Sequence, residues 1–316
     1  MLPITIVTGF LGSGKTTLIN QFLNTGSEGI VVFVNEFGDV DIDGKIIGNG
    51  DIERPTVSLP NGCVCCEVRD DLVDAICDAA ADSSSLFQMG IIETSGVASP
   101  SEILRNFQTD NRLKNLRPAL NVVCVCFAEK VEQQLERYPE AANQIAMADH
   151  IVINRTSSFA GSNINEVNDL VLGINPNARV WIDIGPSKLP EIFRNSKGNQ
   201  FLQTFQQTSV HHHHDYSTFV IESLGSIDPD LFRDTLSFWI MRYPERLLRV
   251  KGIIHFSDLE EPHLINLVHD VFTSEPWTQA TADKRIKLVF IGINLPEHQI
   301  RRDINGIIGS ESFNRP

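Results

Sequence analysis

Cations are scarce in this 316-residue sequence: 26 Lys and Arg stand against 40 Asp and Glu, a formal net charge of −14. Affinity for nucleic acid rests on clustered cations, so no nucleic-acid partner is expected. The same acidity argues against an anionic membrane surface. Long hydrophobic runs are lacking too. The longest, such as residues 119–128, are of strand length, well short of the roughly 20 residues a spanning helix needs. No basic leader precedes the short apolar run at the N-terminus, which excludes a signal peptide as the sequence stands. Six cysteines are too few for a disulfide scaffold, so the expected compartment is the reducing cytoplasm. What remains, with 42% hydrophobic and 21% charged residues, is the composition of an ordinary globular protein.

Val- and Ile-rich runs at 4–8, 30–35, 89–94, 120–127, 151–154 and 180–183 read as strands. Segments of helical spacing lie between them, for example 15–24, 70–81 and 129–147. Continuously apolar strands alternating with helices predict an α/β domain over 1–184, with a mostly parallel, doubly wound sheet covered on both faces. Residues 185–215 carry Pro, Ser, Asn and Gln with little periodicity and read as a linker with one short helix. From 216 to 316 the order changes to strand, helix, two or more strands, strand and helix, a smaller α+β domain.

The first strand runs into Gly9-Phe10-Leu11-Gly12-Ser13-Gly14-Lys15-Thr16, followed by Thr17, which fits G-x-x-x-x-G-K-[ST]. Backbone N–H groups must turn inward around a phosphate, and glycines stand where side chains would collide with it. Lys15 supplies a charge to the outer phosphates, the Thr16 hydroxyl can ligate Mg²⁺, and the helix that follows points its positive end at the anion. The second strand ends in Asn35-Glu36-Phe37-Gly38-Asp39, with Asp41 and Asp43 beyond. These carboxylates suit Mg²⁺ or a second metal, or else form a solvated acidic turn. The third long strand delivers Glu93-Thr94-Ser95-Gly96. An acid at that tip holds Mg²⁺ or water, and Gly96 can offer its N–H to a γ-phosphate.

Cys63, Cys65 and Cys66 crowd into four positions. Three thiolates form a soft site for Zn²⁺ or Cu⁺ with a fourth tetrahedral position for an outside ligand. A vicinal disulfide and a buried turn are the competing readings. Cys124 and Cys126, two apart on one strand, face one side and are assigned to packing, as is Cys77. The run His211, His212, His213 and His214 either collects metal or is a tolerated polar tract.

With the phosphate loop, N-E-F-G, C-x-C-C and E-T-S-G in this order, the chain resembles the CobW-like family of P-loop GTPase metallochaperones. The likeness continues through Gln144, Ala148-Asp149 and Asn175-Pro176-Asn177-Ala178. In the second domain it takes in Arg249-Val250-Lys251-Gly252-Ile253, Trp277 and Leu288-Val289-Phe290-Ile291-Gly292. The resemblance implies that nucleotide hydrolysis, with Lys15 and Glu93 as catalytic groups, is coupled to delivery of Zn²⁺ (cobalt in relatives) to a metal-dependent client protein. It implies a metal site at Cys63, Cys65 and Cys66, and a nucleotide site that includes Asn154. Where the family carries N-K-x-D, this chain has Asn154-Arg155-Thr156-Ser157. A Ser hydroxyl cannot replace the paired acceptor that an ionised Asp offers a guanine, so GTP and ATP both stand as substrates. The rival readings are a small-molecule kinase and a metal buffer that binds nucleotide without turnover. The second domain, with no catalytic constellation, is assigned to client docking or to a homodimer.

Overall fold

The computed structural model describes residues 2–26, 29–34, 56–58, 67–81, 87–116, 118–154, 161–194, 216–277 and 284–309. The chain divides into two compact units, Met1–Leu172 with Ala178–Thr204, and Gly173–Asn177 with Phe205–Pro316.

The first part of the chain holds strands β1 (Leu2–Thr8), β2 (Ile30–Val34), β3 (Thr56–Ser58), β4 (Met89–Glu93), β5 (Pro118–Phe127), β6 (His150–Asn154) and β7 (Arg179–Ile182). They form one sheet in the order β3-β2-β4-β1-β5-β6-β7, every neighbouring pair parallel. The connecting helices are α1 (Lys15–Leu23), α2 (Glu67–Ala81), α3 (Pro100–Thr109), α4 (Asn111–Asn115), α5 (Val131–Arg137), α6 (Pro139–Met147), α7 (Gly161–Ile174) and α8 (Leu189–Arg194). Both alternating sets of strand side chains are buried. Val7, Val123 and Val125 join the core formed with Leu18, Ile19 and Phe22 of α1, while Ile4 and Ile6 are equally inaccessible on the other face. A parallel sheet covered on both faces is what continuous Val/Ile runs require. The edge strand β3 was not foreseen, because three residues are too few to show a period.

Two departures from the sequence reading have local causes. The single helix expected over 129–147 is two, α5 and α6, broken at Tyr138, whose φ of −132° and ψ of 105° are extended. Pro139 pushes the residue before it out of the helical region and then serves as the first residue of α6. Residues 186–194, read as linker, belong to the first unit. A 3₁₀ turn at Pro186–Lys188 leads into α8, whose Leu189, Ile192 and Phe193 are buried, and Phe193 stacks on Phe22 with ring centroids 4.2 Å apart. Two core polar groups hold the end of this helix: Thr5 Oγ1 donates to Phe193 O at 2.6 Å, and Asn121 Nδ2 donates to Ile192 O at 2.7 Å. The one short helix expected in the linker is thus α8, and its i, i+3, i+4 apolar spacing is what binds it to the core.

The second part holds β8 (Tyr216–Leu224), β9 (Ser226–Ile227), β10 (Leu247–Ile254), β11 (His263–Val268), β12 (Val271–Pro276), β13 (Arg285–Ile293) and β14 (Ile308–Gly309), with α9 (Pro229–Arg242) and α10 (Glu297–Ile307). Five strands form an antiparallel sheet in the order β12-β11-β10-β13-β8, and β9 pairs with β14. Phe232, Leu236 and Trp239 of α9 and Ile300 and Ile304 of α10 share one core with alternate residues of the strands. Asp228 caps α9 by accepting from Asp230 N and Leu231 N at 2.9 and 3.0 Å, and Pro229 opens the first turn. The strand or strand pair expected over 263–272 is the hairpin β11–β12.

Cys124 and Cys126 lie side by side on β5, their sulfurs 3.9 Å apart and both buried. The neighbouring Cys126 sulfur and burial push the Cys124 thiol well above its ordinary value, so it stays protonated and unreactive. This is the packing role the spacing predicts.

Two outcomes test this architecture. Phe193→Ala should lower the stability of the full chain by about 3–5 kcal/mol in chemical denaturation, the cost of a cavity at a buried aromatic; a loss under about 1 kcal/mol would place 189–194 outside the core. Iodoacetamide added to native protein should label Cys77, which is half-buried, well before Cys124 and Cys126. Peptide mass spectrometry reads this, and equal labelling of the three would refute the buried assignment.

Candidate functional site

In the first sheet β1 lies where the path of the chain reverses, with β4, β2 and β3 on one side and β5, β6 and β7 on the other. Ligands of open α/β sheets bind outside the carboxyl ends of the strands at this point, and the loop from Gly9 to Gly14 occupies it. Gly9, Gly12 and Gly14 have φ of 141°, 74° and 96°. At Gly9 a Cβ would lie 2.2 Å from Val125 O, so β5 closes on the loop at a distance only glycine permits. Ser13 N donates to Phe10 O at 3.1 Å, and α1 starts at Lys15 directly behind the turn.

Lys15 is buried at the base of the loop and its Nζ donates to Gly9 O at 2.9 Å. Thr16 Oγ1 donates to Glu93 Oε1 at 2.6 Å. Glu93 reaches this position because β4 pairs with β1 in parallel, Val7 opposite Glu93. The pairing continues beyond the strand: Thr94 N donates to Val7 O at 3.0 Å and Thr94 Oγ1 to Thr8 Oγ1 at 3.1 Å. Gly96 then passes so close to the loop that a Cβ on it would lie 2.8 Å from Leu11 N. From the other side, Asn154 Nδ2 at the end of β6 donates to Ser13 O at 3.0 Å. The structure thus brings together Gly9 to Thr16, Glu93, Gly96 and Asn154, a set separated by up to 145 residues in the sequence. Thr17 lies on α1 with its side chain exposed.

The cradle fits a phosphate with a hard cation. Ser13 Oγ and Ser95 Oγ are buried beside it with no hydrogen-bond partner, a cost that an anionic ligand would remove. Thr16 Oγ1 and the Glu93 carboxylate are oxygen donors of the type Mg²⁺ takes. Asn35, Glu36, Asp39, Asp41, Asp43, Cys63, Cys65, Cys66, Arg155, Thr156, Ser157 and the four histidines lie outside the described residues. The chain leaves β3 at Ser58, on the same edge of the sheet as the phosphate loop, before the segment that carries the three thiols.

Four side chains gain from the structure a role that the sequence did not assign, although Thr94 and Gln144 stand in motifs named above. Tyr138 stacks on Phe10 of the loop, centroids 4.7 Å apart. Thr8 and Thr94 join the two central strand ends through their hydroxyls. Gln144, fully buried on α6, donates from Nε2 to Gly96 O at 3.2 Å and Ala98 O at 3.0 Å. A glutamine among Ala141, Ala142, Ile145 and Ala146 was the available signal, since a polar group on an apolar face needs a reason.

Comparison with known proteins agrees with this geometry. The model of the CobW/HypB/UreG nucleotide-binding domain matches residues 3–181, and that of the cobalamin synthesis protein cobW C-terminal domain matches 216–308. The zinc chaperone YjiA of Escherichia coli is 28% identical over 97% of this chain and 98% of its own length. The zinc-regulated GTPase metalloprotein activator 1 of Schizosaccharomyces pombe is 30% identical over 57% of this chain and 45% of its own. The crystal structure of Zn(II)-bound YjiA GTPase from E. coli superposes with a TM-score of 0.74 at 24% identity, covering 98% of this chain and 99% of that one, a likeness of fold. Matched in its nucleotide-binding domain and again in its C-terminal domain, the chain belongs to the CobW/HypB/UreG family.

Proposed function

We propose that this protein is a GTP-hydrolysing zinc metallochaperone, which loads zinc as cargo and transfers it to a metal-dependent client protein. The observation that carries the reading is the phosphate cradle itself, with Lys15 at its base and the Thr16–Glu93 pair at its mouth. Its extension to zinc is supported by similarity to a named zinc chaperone along nearly the whole chain. In this reading Lys15 leaves Gly9 O for the β- and γ-phosphates, and Ser13 and the loop N–H groups hold the phosphate oxygens. Thr16 and Glu93 are the residues that would hold Mg²⁺, and Glu93 would orient the attacking water. Mg²⁺, when bound, supplies neutralisation of the charge on the β- and γ-phosphate oxygens. Gly96 lies against Leu11 of the loop, at the side where the terminal phosphate would be sensed.

Cys63, Cys65 and Cys66 are the proposed cargo ligands, three thiolates that leave a fourth tetrahedral position to the client. They lie in sequence between the acidic segment after β2 and Glu93, so nucleotide binding would order the segment and complete the site, and hydrolysis would release the ion. Client docking or homodimer formation is the proposed role of the C-terminal unit. The reducing cytoplasm, which keeps the thiols free for zinc, is the proposed compartment.

Two measurements test this reading. Lys15→Ala should lower phosphate release from GTP by a factor of about 10²–10³ or more, as loss of a positioned cation does; turnover equal to that of the parent chain would sink the assignment. Titrating GTP and ATP side by side fixes the base preference. Zinc affinity, read by competition with a chromophoric chelator, should differ by about tenfold between the GTP-analogue and GDP states. It should fall by roughly two orders of magnitude in a Cys63→Ser, Cys65→Ser, Cys66→Ser variant. Equal affinity in all nucleotide states would refute the coupling.

A further inference from the structure

Gln144 is fully buried on α6 among Ala141, Ala142, Ile145, Ala146 and Met147, all buried as well. Its Nε2 gives hydrogen bonds to two carbonyls of one turn, Gly96 O at 3.2 Å and Ala98 O at 3.0 Å, while its Oε1 has no partner. The carboxamide satisfies both carbonyls and leaves its own Oε1 unpaired, so it ties the turn to α6 at a cost in buried polar surface. The carboxamide therefore answers a demand for orientation.

That demand is visible in the turn. Ser95 O accepts from Ala98 N at 3.2 Å, which closes residues 95–98 and leaves the Gly96 and Val97 N–H groups outside this bond. Carbonyl and following N–H of a trans peptide point opposite ways, so the bond that turns Gly96 O toward Gln144 turns the Val97 N–H away from α6. On its other side Gly96 abuts Leu11 of the phosphate loop. The turn is thus held between α6 and the loop, two residues beyond the Glu93 that bonds Thr16. The same helix reaches the loop a second time, since Tyr138, at its N-cap, stacks on Phe10.

We propose that Gln144 is a positioning residue for triphosphate sensing, fixing the Gly96–Val97 peptide so that its N–H is presented to the terminal phosphate. The proposal rests on the GTPase reading above and adds a residue that touches neither nucleotide nor metal.

The test uses the full chain with Gln144→Met, which keeps the length and removes the carboxamide, and Gln144→Glu. GTP and GDP affinities are measured with fluorescent nucleotides, and turnover by phosphate release. Gln144→Met should hold GDP within about twofold while losing on the order of tenfold in both kcat and the GTP-over-GDP preference. Gln144→Glu should be impaired at pH 8, where a carboxylate faces two carbonyl oxygens. It should recover as the pH falls and the protonated carboxyl regains one O–H donor, a recovery the parent chain lacks. Should Gln144→Met fail to fold, absence of this acid-side recovery overturns the proposal by itself. A parent chain that does not hydrolyse GTP overturns the underlying reading. A parent chain that does, beside a Gln144→Met variant unchanged in kcat and nucleotide preference, overturns the inference alone.

Discussion

The functional half of this molecule depends on one steric constraint: Gly9 must carry no side chain. Its φ of 141° and the 2.2 Å that would separate a Cβ from Val125 O mean that the loop after β1 can pass beneath the end of β5 only as bare backbone. That passage directs the next five residues back over the sheet edge and starts α1 at Lys15. The positive end of α1 and the charge of Lys15 then point at one volume. Parallel pairing supplies the rest, because strands that all run one way end at one edge. Glu93 and Asn154, from β4 and β6, arrive beside the loop without any long connection having to carry them there.

Around that edge the contacts sort by mechanical duty. Thr5 and Asn121, further back along β1 and β5, fasten α8 to the sheet. Thr8 with Thr94, and Thr16 with Glu93, tie β1 and its loop to β4, so that a change at the loop is felt at the strand tip. The helix α6 grips both partners, the loop through Tyr138 and the turn after Glu93 through Gln144. Loop and turn, the two surfaces that the proposed phosphate would meet, are therefore both held by one helix.

How much of this was legible follows from the physics of each signal. The phosphate loop is local, its chemistry written into eight consecutive residues, and the sheet class follows from apolar runs that cannot be solvated. Glu93 was legible because an acid at a strand tip breaks the apolar pattern. The contribution of α6 was not, because a glutamine or tyrosine takes on its meaning only from what the fold places opposite it, 48 residues away for Gln144 and Gly96. The edge strand β3 was missed for a simpler reason, since three residues fall below the length at which periodicity exists, and the short helix expected in the linker gave no sign in its six residues that it belongs to the core. Pro139, by contrast, carried its own warning, and the broken helix it causes follows from its ring alone.

Asn154 shows where reading a motif and reading a structure part. As the first residue of a degraded N-K-x-D pattern it would count as the surviving fragment of a guanine site. Its Nδ2 is instead committed to Ser13 O at 3.0 Å, so it braces the phosphate loop from the β6 side. At Gly14 a Cβ would sit 2.8 Å from that same nitrogen, which shows how closely the end of β6 fits against the loop. This bond gives Asn154 a role in bracing the phosphate loop, which serves GTP and ATP alike, and leaves its second N–H and its Oδ1 available for other partners. A Ser at position 157 offers one hydroxyl where an ionised Asp offers two acceptor oxygens. The phosphate half of nucleotide recognition is thus built into the sheet edge, where Asn154 from β6 and the loop after β1 are tied by one hydrogen bond.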